Sequence, residues 1–298
     1  VTFFVHSPGH DERYQHLFAP EFDQEREARS FVDALWAQTS AFLDDDVQTA
    51  ACSDFLPRFW EMYLAAGLLN GGLTLVPSKE RKLKAGGPDI LISEPRCFVE
   101  AIAVKPGIGA DAVTKAEPLV VRSVPKREIT LRLRQAIDEK HKKYQGYLAK
   151  GLLAPSDAYV IGIDGAAVPS TRGEPELPWI VCAVFPFGDS VFHLDKESRE
   201  VTGHSYSPEH DLQKSSGAPV AKDIFLDASH AEISAIIYAW ADEYSAAAIP
   251  GHDFIVVHNP YATNPISRGV LPCGLECWLE ADELRMERLS SRTIVEPV

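Results

Sequence analysis

Glu61, Asp89 and Glu100 are the carboxylates of this chain whose settings could support chemistry. Glu61 lies in an aromatic-rich stretch, Asp89 follows Gly86-Gly87-Pro88, and Glu100 sits inside the apolar run 97–104. An acid among Phe98, Ile102 and Val104 is costly to bury unless a cation meets it. Three such acids form a hard-oxygen donor set. Mg²⁺ or Mn²⁺ accepts that set, and Mg²⁺ keeps several waters while doing so. A bound ion of this kind activates water and neutralises charge building on a phosphate. Taken singly, Glu61 fits an exposed helix acid and Glu100 an acid on an open edge strand. Their order along the chain with Asp89 sets them apart.

The elements that must position these residues follow from periodicity. A helix starts near Ser53 or Asp54, both good N-caps, carries Pro57 in its first turn and ends at Gly71-Gly72. Phe55, Phe59, Met62, Tyr63 and Ala66 share one face, and Glu61 lies off it. Apolar runs at 73–76, 89–92 and 97–104 predict three strands, the last two joined by a tight turn at Pro95. Alternation along the third puts Phe98, Glu100, Ile102 and Val104 on one side, with Val99, Ala101 and Ala103 on the other. Residues 107–125 form a surface loop. From 126 to 150 the pattern is helical, with Ile129, Leu133, Ala136, Ile137, Tyr144, Tyr147 and Leu148 in one stripe. Lys140 falls near the centre of that stripe and Lys143 toward its margin. Gly151 closes the helix, and 157–164 is a further strand.

This order of helix, three strands, helix and strand, with Pro88-Asp89 opening one strand and Glu100-Ala101-Ile102 inside the next, resembles the PD-(D/E)XK nuclease superfamily. The resemblance covers residues 55–164. It departs at Ile102, where the superfamily's motif carries a lysine. What it implies is an α/β protein with a restriction-endonuclease-like core, a central mixed sheet flanked by helices, and Mg²⁺- or Mn²⁺-dependent hydrolysis of phosphodiester bonds. The expected partner is nucleic acid, DNA before RNA. The resemblance makes Asp89 and Glu100 direct metal ligands and the Ala101 carbonyl a third, with Glu61 binding directly or through water. The superfamily's lysine positions the attacking water and stabilises developing charge. Some relatives carry it on a neighbouring helix, which makes Lys140 the candidate here and Lys105 the runner-up. Replacing Asp89 or Glu100 is expected to relieve like-charge repulsion in metal-free protein. The alternative is a catalytically silent relative that binds nucleic acid or a protein partner.

A formal charge of -14 argues against coating nucleic acid by bulk attraction. A nucleic-acid-facing groove must then be basic locally, and Lys79, Lys82, Lys84, Arg127 and Arg134 are the candidates. No apolar run reaches the ~20 residues of a membrane helix. The first residues lack the basic and apolar regions of a signal peptide. Five scattered cysteines indicate thiols in a reducing cytoplasm. Cys273 and Cys277, downstream of His252 and His258, lack the ligand spacing of a zinc knuckle. Phosphate-loop, dinucleotide-binding and nucleophile-elbow motifs are missing.

The remaining segments divide the chain into a lead-in and packing helix over 1–52, a core over 53–195, and an α/β extension over 196–298 that could share the same domain. Residues 1–20 are expected to be irregular and 21–42 helical. A hairpin is expected over 179–194, a polar loop over 204–222, a helix over 227–248, a strand at 254–257, and a strand followed by a charged helix over 276–289. Homodimerisation is an open alternative.

Overall fold

The helices α1 (Glu12–Phe18), α2 (Asp23–Thr39), α3 (Val47–Ala51) and α4 (Phe55–Asn70) precede the sheet. Asp11 ties two of them together. Its Oδ1 accepts from the Tyr14 amide at 3.0 Å, and its Oδ2 accepts from the Phe55 amide at 2.9 Å. One carboxylate thus satisfies orphan N–H groups at two helix starts. Asp54, in the N-cap position of α4, makes no side-chain cap bond. The irregular lead-in expected over 1–20 is therefore structured: Phe3, Phe4, Tyr14 and Leu17 are buried in one cluster with Trp36, Phe55 and Phe59.

The computed structural model describes residues 2–81, 86–117, 119–173, 176–281 and 283–289. After α4 the chain adds β1 (Ile90–Ile92), β2 (Cys97–Ala103), α5 (Lys126–Ala149) and β3 (Ala158–Asp164). The expected strand at 73–76 is reduced to one antiparallel bridge between Leu75 and Ile92. Next come α6 (Trp179–Val184), β4 (Phe187–Leu194), β5 (Val201–Pro208), β6 (Asp211–Gln213) and β7 (Pro219–Ala221). The chain then supplies β8 (Ala235–Ala239), β9 (Ile255–His258), β10 (Leu275–Glu280) and β11 (Glu283–Arg288).

The result is an α/β architecture around a seven-stranded mixed sheet ordered β1-β2-β3-β8-β9-β10-β11. β2, β3 and β8 run parallel, and β1 and β9 are antiparallel to their neighbours β2 and β8. Strand alternation splits the core in two. Val99, Val160, Ile237 and Val256 face the cluster built with α1 to α4, whereas Phe98, Ile161, Ile236 and Val257 face α5 and α6. One glycine sets how closely α4 approaches. A Cβ on Gly162 would fall 2.4 Å from Leu64 Cδ2. The Trp60 indole donates to the Gly162 carbonyl at 3.0 Å, which seats Glu61 beside the sheet.

Several expectations for the second half are corrected. Residues 227–248 are not a helix but a 3-10 turn (Ala228–His230) followed by β8, every residue of which is buried. A strand buried on both faces has a continuous apolar run, which periodicity does not separate from a helix. The same ambiguity hides α6, where a strand was expected over 179–187. β4 pairs with β5, and β6 pairs with β7 around Gly217, which has φ +81°, so 204–222 is hairpin rather than loop. Residues 276–289 form the β10–β11 hairpin, not a strand and a helix. The five cysteines form no disulfide among the described residues. No helix among those residues is long and apolar enough to cross a membrane.

Candidate active site

The antiparallel ladder of β1 and β2 runs from Ile92 and Cys97 to Ile90 and Val99. Continuing it would set Ala101 against Pro88, which has no N–H to offer. The Ala101 amide donates instead to Asp89 Oδ2 at 2.7 Å. β2 is therefore left with an open edge, and the space beside it forms a groove of about 330 Å³. Its lining includes Arg58 and Glu61 from α4, Asp89, Ala101 and Ile102, and Lys140 and Lys143 from α5. The open edge explains how α4 and α5, packed on opposite faces of the sheet, reach one site.

Glu100 is 0% exposed. Lys140 Nζ and Lys143 Nζ each lie 2.8 Å from its Oε1, and the Tyr147 hydroxyl donates to Oε2 at 3.0 Å. The three donors stand at i, i+3 and i+7 on α5, hence on one helical face. The Tyr159 hydroxyl donates to the Lys140 carbonyl at 3.1 Å and fixes the helix at that point. Asp89 is held through its backbone. The buried Arg81 guanidinium donates to the Pro88 and Asp89 carbonyls at 3.0 and 2.6 Å, and also to the Phe42 carbonyl.

Two acids at this groove bind their protons more tightly than usual. Burial, then the Glu100 charge, pushes Asp89 up to about 6. Burial, then Asp89, pushes Glu61 up to about 8, although the Arg58 guanidinium 2.5 Å away acts in the opposite sense. Both carboxyls bind protons more tightly folded than unfolded. Their contribution to stability is therefore full below the unfolded values near 4 and is lost as pH rises through the folded ones. In EDTA, the melting temperature should fall between pH about 5 and about 8.5. Asp89→Asn should flatten the part of that fall below about 6. A differential scanning calorimetry series checks both, and a flat profile for the parent would remove the carboxylate coupling.

The structure brings Glu61, Asp89, Ala101 and Lys140 to the groove, with Glu100 enclosed and joined to it through Lys140 and Lys143, and leaves the expected basic set elsewhere. Lys79 lies at the surface 3.9 Å from Asp45. Lys82 and Lys84 lie outside the described residues. Arg127 pairs with Glu128 and Asp111, and donates to the Gln213 carbonyl. Arg134 is buried, donating to the Ala221 carbonyl at 2.9 Å and to Asp138 at 2.6 Å. Its guanidinium is taken up by the β7 carbonyl and by an acid of its own helix, so the charge is spent within the fold. Arg134→Gln should accordingly cost about 1–3 kcal/mol in urea denaturation and leave nucleic-acid affinity unchanged. Lys105 pairs at the surface with Asp54 at 2.9 Å.

Sequence reasoning missed Arg58, Tyr147 and the direct part of Lys143. A signal was present for each: Arg58 lies one helical turn before Glu61, and Lys143 and Tyr147 lie one and two turns after Lys140. Periodicity sets Glu61 off the apolar face of its helix, whereas α4 is buried nearly all round and Glu61 with it. Among the described residues, no group of three or more His, Cys, Asp or Glu side chains is gathered to hold a metal ion. A larger cavity of about 790 Å³ lies between α2, the end of α4 and the loops at 248–252 and 269–274. Its lining has no carboxylate, lysine or arginine, unlike that of the smaller groove. Comparison with protein-family models, curated proteins and solved structures finds no match to this chain.

Proposed function

We propose that this protein is a divalent-metal-dependent nuclease with a restriction-endonuclease-like core, hydrolysing phosphodiester bonds in DNA before RNA. The observation that carries the reading is the contact between Lys140 Nζ and Glu100 Oε1 at 2.8 Å, at a groove that also holds Asp89. It supplies an ammonium from α5 on the side of β2 where Ile102 has none to offer. The order α4, the Leu75 bridge, β1, β2, α5, β3, with β2 and β3 parallel, supports the same reading.

The donor set fits a hard cation. Glu100 is buried and Asp89 half-buried, the two are mutually repelling oxygen donors, and Mg²⁺ or Mn²⁺ is satisfied by one or two carboxylates plus waters and substrate oxygens. Asp89, Glu100 and the Ala101 carbonyl would hold it, with Glu61 joining directly or through water once deprotonated. When bound, the ion acidifies a water and neutralises charge on the phosphate. The chain's own residues do the rest. Arg81 and the Ala101 amide fix the Asp89 carboxylate from both ends of its residue. Tyr147 fixes the Glu100 plane. Lys140 presents a preoriented ammonium to charge developing on the phosphate, in a setting screened from water where such a charge acts strongly.

Supercoiled plasmid and single-stranded DNA, incubated with the full chain and Mg²⁺ or Mn²⁺, should be cleaved, and Asp89→Asn should abolish the cleavage. One observation favours the second reading, a silent relative that binds nucleic acid or a protein: Glu100 already has its oxygens met by the chain's own donors. Folded parent protein that binds DNA but cleaves no substrate with either metal decides for it.

A further inference from the structure

The two ammoniums on Glu100 differ in a way that separates their roles. Both Nζ atoms lie 2.8 Å from the same oxygen, Oε1, and so take both of its lone pairs. A cation approaching Oε1 must displace one of them. The Lys140 side chain is 7% exposed and lies within the buried stripe of α5, between Ala136 and Tyr144. On leaving Oε1 it would lose its partner with little water to replace it. The Lys143 side chain is 49% exposed and lines the open groove. On leaving, its ammonium regains hydration, and an ion pair with so exposed a partner is weak. Like charges so close repel, and an arriving dication adds to that repulsion. The more exposed ammonium goes first.

We propose that Lys143 is a displaceable latch: it neutralises Glu100 while no divalent cation is present, leaves Oε1 when one binds, and turns to a substrate phosphate in the groove. The inference rests on the metal-dependent reading above. It makes Lys143 a positioning residue that switches partner, while Lys140 stays in place. It also resolves the tension in the site, since Glu100 Oε1, held by two ammoniums, becomes available to a cation through the loss of one half-exposed contact.

Mn²⁺ titration calorimetry on the full chain tests the latch without reference to turnover. Lys143→Met and Lys143→Gln should bind Mn²⁺ about 3- to 10-fold more tightly than the parent, because the competitor for Oε1 is gone. Lys143→Arg keeps the charge and should return to parental affinity. Melting in EDTA establishes that each variant is folded, and the Gln variant stands in if the Met variant is not. A short DNA duplex in Ca²⁺ should bind Lys143→Met more weakly than the parent. A parent that binds Mn²⁺, with Met and Gln variants that bind it equally or less well, overturns the latch and leaves the metal-dependent reading standing. Parent and variants that are folded and all fail to bind Mn²⁺ overturn the metal-dependent reading, and the latch with it.

Discussion

Glu100→Ala should abolish cleavage and also destabilise the metal-free protein by on the order of 3–5 kcal/mol. The size follows from what remains behind. Lys140 is buried, and its ammonium lies 2.8 Å from a carboxylate that is itself wholly enclosed. Deleting one partner leaves an uncompensated charge in a poorly hydrated place, and the Tyr147 hydroxyl loses its acceptor as well. From the sequence, loss of either acid is expected to relieve like-charge repulsion. The structure divides the two cases. Burial and the Glu100 charge make the ionised form of Asp89 costly near neutral pH, so Asp89→Asn should be neutral or slightly stabilising there. Glu100 is surrounded by donors, so its removal should cost stability. Urea denaturation of both variants in EDTA makes the comparison. A Glu100→Ala protein as stable as the parent would mean that the Lys140 pair is not a buried ion pair.

That contrast marks how far the sequence carries. The alternation that sends Glu100 with Phe98, Ile102 and Val104 to one side of β2 is a period-two signal, and it is present in the structure, where that side meets α5. The stripe that puts Lys140 inward is a period-3.6 signal over 24 residues of α5, long enough to be unambiguous. The pairing partners were not legible. Which donors reach Glu100 depends on how α5 lies over the sheet, where its Tyr144 packs against Tyr159 of the neighbouring β3 with centroids 4.9 Å apart. The capping of α4 by Asp11 joins residues 44 apart in the chain, which no local rule anticipates. β8 and α6 were misassigned because elements buried on all sides carry no amphipathic period. The basic set failed for a related reason. Arg134 has the composition of a surface charge and the location of a core residue, and only its distant partner, the Ala221 carbonyl, tells them apart.

Lys140→Met should cut turnover by on the order of 10²-fold or more while costing less stability than Glu100→Ala. Methionine keeps most of the stem that fills the space between Ala136 and Tyr144 and removes the charge. Glu100 then keeps the Lys143 ammonium and the Tyr147 hydroxyl, so no buried carboxylate is stranded. This asymmetry separates a catalytic ammonium from a structural one. If Lys140 merely neutralised Glu100, Lys143 would substitute for it and turnover would survive. If it stabilises charge developing on the phosphate, Lys143 does not replace it, because a half-exposed side chain is not held in one orientation before the reaction begins. Lys105→Met provides the comparison from the other candidate. Its amine is at the surface on Asp54, so the variant should turn over near the parental rate. Single-turnover kinetics at saturating Mn²⁺ for the two variants, paired with urea denaturation, read both quantities. Parental turnover in Lys140→Met with loss in Lys105→Met would shift the role from α5 to the residue just beyond β2. It would also require Lys105, which already lines the groove, to release Asp54 during the reaction.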